Sequence, residues 1–107
     1  MRLRDLVVAG IGSVVAVTLA HGQQLTDRQK GRILARQVCA ECHAVGRQGL
    51  RSSNAEAPSF VAVASTPGMT EMALYVFFQT PHRAMPNLIL TPDQKREIIA
   101  YILSLRR

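Results

Sequence analysis

The chain has 107 residues, too few for an eightfold βα barrel, a two-domain enzyme or a long repeat array. Hydrophobic residues make up 48% of it, ordinary for a globular chain, which argues against wholesale disorder. The formal net charge is +6, and the 2 cysteines are too few for a multi-disulfide mini-protein or a four-thiolate metal site.

The first element in chain order is a leader. Arg2 and Arg4 give a positive start, and an uncharged, largely apolar stretch runs from Leu6 to Ala20. Small residues at Ala20 and Gly22 suit a signal-peptidase site, so residues 1–22 read as a signal peptide and residues 23–107 as one working domain. The rival reading is an uncleaved membrane anchor. Its apolar stretch, softened by Gly10, Gly12 and Ser13, falls short of the roughly 20 residues needed to cross a bilayer. Either reading exports the domain, so the expected location is periplasmic, with membrane contact only if the leader is retained. Export excludes nucleic acid as the partner of this basic chain. About 85 residues remain without the leader, near the size at which a core alone gives marginal stability.

The first helix is expected to start at Thr26, with Gln29 at capping-box spacing and Asp27 in the first turn. Gly31, Leu34, Ala35, Val38 and Cys42 recur on one helical face, while Arg28, Arg32 and Arg36 line a solvated one. Gly46–Gly49 and Ser52–Asn54 have loop composition, and Phe60–Ala64 reads as loop or short helix. A second main helix is expected over Thr70–Gln79, with Met69, Met72, Ala73 and Val76 as its apolar stripe and Pro81 beyond its end. The third starts at Thr91, with Pro92 at the first helical position and Gln94 completing a capping box. Ile98, Tyr101, Ile102 and Leu105 form its stripe, and Arg106 and Arg107 complement the C-terminal end of its dipole. The chain therefore reads as all-α.

The chemistry concentrates in Cys39-Ala40-Glu41-Cys42-His43, the C-x-x-C-H pattern of c-type haem attachment. Two thiols three residues apart near a helix end lie on one side, where both can form thioethers with the vinyl groups of one porphyrin edge. The adjacent His43 then reaches the iron. Two rivals use the same residues. A Cys39–Cys42 disulfide would suit a thioredoxin-like motif but needs a βαβ context absent here. A zinc site could combine Cys39, Cys42, His43 and His82. The contiguous Cys-His pair and the downstream Met85-Pro86 favour haem.

Over residues 26–107 the sequence resembles the class I c-type cytochromes, small haem electron carriers. The resemblance rests on the haem motif, on Gly31 eight residues before Cys39, and on Pro58 and Phe60, similar to the family's Pro-x-Leu segment. It rests also on Met85-Pro86, like the family's axial-ligand loop, and on Leu90–Pro92 and Ile99–Ile102, like its closing helix. The resemblance implies a cytochrome c fold, with three main helices and loops wrapped around one covalently bound haem. Cys39 and Cys42 would be the attachment points, His43 the proximal iron ligand and Met85 the distal one. The Pro58 carbonyl would accept a hydrogen bond from the other ring nitrogen of His43, fixing the imidazole. Gly31 and Tyr101 would meet where the terminal helices cross. Ala35 stands where the family often has an aromatic residue, and the segment from Gly46 to Ala57 has no detailed match. Arg83 and Tyr75 are candidates for the propionates.

A filled His/Met pair raises the potential of haem iron and leaves no open position for a substrate. The implied function is single-electron transfer between redox protein partners, without enzymatic catalysis. A basic rim would favour acidic docking surfaces on those partners, although the charge also serves general solubility. Two alternatives stay open: a cytochrome subunit permanently bound to a periplasmic dehydrogenase, and a ligand-binding or catalytic haem whose Met85 leaves the iron. Met69 and Met72 are expected in the core or against the haem, and His82 in a solvated loop.

Overall fold

The computed structural model describes residues 10–15, 24–49, 51–86 and 88–107. Among these residues the protein is helical, with no strand. Helix α1 spans Asp27–Leu34 and runs into a π-helical turn at Ala35–Cys39. Helix α2 is Phe60–Ser65, α3 is Glu71–Gln79 and α4 is Pro92–Leu103. Residues 10–15 are exposed and not helical, and the rest of the expected leader lies outside the described residues. Among the described residues no helix is long and apolar enough to cross a membrane.

Local chemistry sets the helix starts. Thr26 and Thr91 each cap a helix with a full capping box, accepting from the backbone N–H of Gln29 and Gln94 while those side chains reach back. Thr70 caps α3 at Ala73, and Ser59 caps α2 at Ala62. The Phe60 segment is therefore a fourth, short helix beside the three main ones. Its Phe60, Val61 and Ala64 are buried, which explains why its apolar run carries no helical stripe of usual length.

The core is built on the crossing of α1 and α4, the most extensive helix contact in the molecule. A Cβ on Gly31 would fall inside the radius of the Glu97 carbonyl oxygen and lie 2.8 Å from Tyr101 Cβ. Only glycine lets the two backbones come this close. Ala35 is fully buried just beyond, so the missing aromatic is replaced by direct helix approach and by Phe60, whose ring centroid lies 6.4 Å from that of Tyr101. The Tyr101 hydroxyl, buried, donates to the Val45 carbonyl 2.5 Å away. Ile98, Tyr101, Ile102 and Leu105 are buried as expected, joined by Ile99. Asp27 and Arg96 tie the starts of α1 and α4 at 3.1 Å, an exposed pair of small energetic weight.

Three expected placements differ. Val38 is exposed, whereas Cys39 is buried. The cause is the π turn: Ala40 N–H bonds to the Ala35 carbonyl at 2.9 Å, five residues back, and the wider turn rotates Val38 off the α1 face. On α3 the expected stripe faces outward: Met72 is 68% and Val76 53% exposed, Ala73 is exposed, and Leu74 is the buried residue at 3%. This helix is apolar on nearly every side, so periodicity alone does not choose the face that meets α4. The arginines at the C-terminus bond to other segments rather than to their own helix end. Arg106 donates to the carbonyls of Ala64 and Met69, and Arg107 to that of Arg47.

Candidate functional site

The π turn ends at Cys39, and the chain then folds over itself through Cys42 and His43. The His43 N–H bonds to the Cys39 carbonyl at 2.9 Å, and the Cys42 N–H to the same oxygen at 3.2 Å. Both thiols are free; Cys39 is buried and Cys42 half-buried. Burial pushes the Cys39 thiol up from 9.0 to about 11, because a thiolate there would lose its hydration. The group is therefore neutral at physiological pH.

The loop that follows turns back and clamps this motif. Asn54 N–H donates to the Cys42 carbonyl at 3.2 Å. Ala44 N–H donates to Ser52 Oγ at 3.0 Å, and Phe60 N–H to the Ala44 carbonyl at 2.9 Å. The clamp brings Pro58 to His43, with Nδ1 2.7 Å from the Pro58 carbonyl oxygen. A carbonyl can only accept, so Nδ1 carries the hydrogen. In the neutral ring Nε2 is then the nitrogen with a free lone pair, the form in which imidazole binds a metal. Phe60 supports the ring from the side, its centroid 5.5 Å away. Ser52 and Asn54 are working residues that motif reading passed over. For Ser52 the signal was the Ser-Ser-Asn composition, which marks side chains that bond to backbone, whereas Asn54 joins through its main-chain N–H, which no residue type announces.

Met85 lies in the segment between α3 and α4. It is half-buried and lines a cleft of about 230 Å³ together with Phe77, Phe78, Pro81, His82 and Pro86. Gln79 and Thr80 line it too, so the walls are mixed, with the aromatic rings and the thioether on the apolar part. His82 is not free in solvent: its ring stacks on Phe77, with centroids 3.6 Å apart and planes inclined by 16°. Tyr75 faces α4, where the Lys95 ammonium stands 5.9 Å from its ring centroid. Met69 is packed against the core, while Met72 points away from it. Among the described residues no cluster of His, Cys, Asp and Glu offers three metal ligands, so the zinc alternative gathers no set.

Comparison with known proteins decides the family. The family described as "Cytochrome C oxidase, cbb3-type, subunit III" matches residues 26–102. The chain belongs to the c-type cytochromes. This cytochrome is 38% identical over 98 residues to "Cytochrome c-552" of Bradyrhizobium diazoefficiens (strain JCM 10833 / BCRC 13528 / IAM 13628 / NBRC 14792 / USDA 110), covering 91% of this chain and 93% of that one. No solved structure matches it. The cytochrome binds haem c covalently, carries electrons, and works with redox protein partners. The chemistry of the residues fits that group: two free thiols three residues apart and an imidazole presenting Nε2, with a thioether in a separate cleft between α3 and α4.

Proposed function

We propose that this cytochrome is an exported monohaem carrier that shuttles single electrons through a His/Met-ligated iron and catalyses no reaction of its own. The observation that carries the reading is the 2.7 Å contact between His43 Nδ1 and the Pro58 carbonyl. It supports Nε2 as the ligating nitrogen and His43 as the proximal ligand, beside Cys39 and Cys42 as the attachment thiols. Met85 supplies the distal sulfur. Haem iron so ligated cycles between ferric and ferrous states at a raised potential.

The remaining work belongs to the chain. Pro58 orients His43 and raises the basicity of Nε2. Phe60 and the α1–α4 crossing keep that side rigid, so little structure rearranges when the charge changes. Phe77, Phe78 and Pro86 line the cleft beside Met85 and give it apolar neighbours. Arg28 and Arg32 on α1 and Arg36 in the π turn lie exposed and favour acidic redox partners. Residues 1–22 act as the export signal, and the working domain is residues 23–107. The related family's description as an oxidase subunit favours a second reading, a cytochrome held permanently in a larger complex. Co-purification with a larger enzyme separates the two.

The direct test is expression with the c-type maturation machinery, followed by an oxidised-minus-reduced spectrum of the periplasmic fraction. The expected product shows covalent haem, an Fe–S(Met) charge-transfer band when oxidised, and no carbon monoxide binding when reduced. Met85→Ala is expected to remove the band, lower the potential and open the iron to carbon monoxide. Met69→Ala is expected to leave all three unchanged; loss of the band in that variant would overturn the ligand assignment.

A further inference from the structure

The segment that carries Met85 is sparsely tied to the rest of the molecule. Thr80 closes the end of α3, its N–H on the Phe77 carbonyl at 3.2 Å and its hydroxyl on the Val76 carbonyl at 2.8 Å. Among the described residues Arg83, Ala84, Met85 and Pro86 make no hydrogen bond. The last fixed point before Met85 is therefore His82. Its ring lies on Phe77 at 3.6 Å between centroids, and its Nε2 is 2.9 Å from the Phe77 carbonyl oxygen. That oxygen accepts only, so Nε2–H is the donor. One side chain thus grips Phe77 twice, by its ring and by its main chain. Pro81, between the helix end and His82, restricts the backbone that makes the return possible. Phe77, His82 and Met85 line the same cleft.

We infer that His82 is a positioning residue for Met85: its stack on Phe77 and its bond to the Phe77 carbonyl clasp the loop to the end of α3 and hold the thioether in ligating position. The inference rests on the reading of Met85 as the distal ligand. The physical reason is loop entropy. With the clasp closed, two residues, Arg83 and Ala84, separate Met85 from a fixed point. With it open, the free segment reaches back to Thr80 and gains conformations that ligation must remove. The same motion exposes the cleft. Both grips act on His82 itself, so the clasp ties the start of the loop to the end of α3.

The test uses the holoprotein with three substitutions. His82→Ala removes ring and donor, His82→Phe keeps the stack, and His82→Gln keeps a donor. The charge-transfer band of the oxidised form and the rate of carbon monoxide binding to the reduced form report Met85, and far-UV circular dichroism reports the fold. The expected result for His82→Ala is a weaker band and carbon monoxide binding faster by about tenfold, with unchanged helicity and with Phe and Gln intermediate. A His82→Ala protein that matches wild type in both readouts, while Met85→Ala loses the band, overturns the clasp and leaves His82 a cap on α3. A Met85→Ala protein that keeps the band overturns the ligand reading and the clasp with it, so the two failures are distinct. If His82→Ala does not mature, the Phe and Gln variants decide: faster binding in both supports the clasp, and wild-type rates in both overturn it.

Discussion

On the proposed reading the haem site has a His43 side and a Met85 side, and the two are built differently. On the side of His43, backbone and side-chain bonds converge from three segments: the π turn, the Ser52–Asn54 loop and the start of α2. Beneath them α1 meets α4 at Gly31, where a Cβ would have no room. On the side of Met85, α3 touches α4 through Leu74 and Phe78 but presents Met72 and Val76 outward. The loop beyond it is held at Thr80 and His82. The contrast teaches where each element draws its order. The proximal side can be organised by the polypeptide, while the distal side depends on what fills the cleft.

The largest expected effect follows from removing haem. A protein expressed without attachment lacks the apolar group that completes a small core, and its helical circular dichroism is expected to fall to a minor fraction of the holoprotein's. A cooperatively folded apoprotein would break the comparison, since the distal side would then stand unaided. Next in size is Gly31→Val. Its side chain has no room against Glu97 and Tyr101, so the expected loss is ~3 kcal/mol in denaturant unfolding of the holoprotein. Equal stability to wild type would mean that the α1–α4 crossing is not the rigid foundation of the proximal side. The smallest is Tyr101→Phe, which strands the buried Val45 carbonyl and is expected to cost about 1 kcal/mol. Both variants are expected to keep the charge-transfer band while folded, which sharpens the division between the two sides.

Much of this was readable from residues alone because the signals are local. A capping box needs four consecutive residues, and both appear where Thr26 and Thr91 announce them. The α4 stripe is regular because one face meets the core and the other meets water. The stripe on α1 failed at Val38 because a single wide turn changes the phase, and no residue type marks a π turn. The α3 stripe failed because Met72, Leu74, Val76 and Phe78 are all apolar, so burial was settled by what lies beside the helix. The bonds of Ser52 to Ala44, of the Asn54 main chain to Cys42 and of His82 to Phe77 join residues whose meeting depends on how loops close.

Sequence sufficed for the chemistry of this cytochrome. Cys39, Cys42 and His43 fall within five consecutive residues, so their spacing together with Met85-Pro86 points to haem, and Gly31 marks the place where two helices must touch. Tertiary structure decided the state and support of those groups. The proton on His43 is set by a carbonyl fifteen residues away, and the anchoring of the Met85 loop by the folding back of His82 onto Phe77. Covalent patterns are written along the chain; hydrogen bonds between distant segments exist only once the loops have closed.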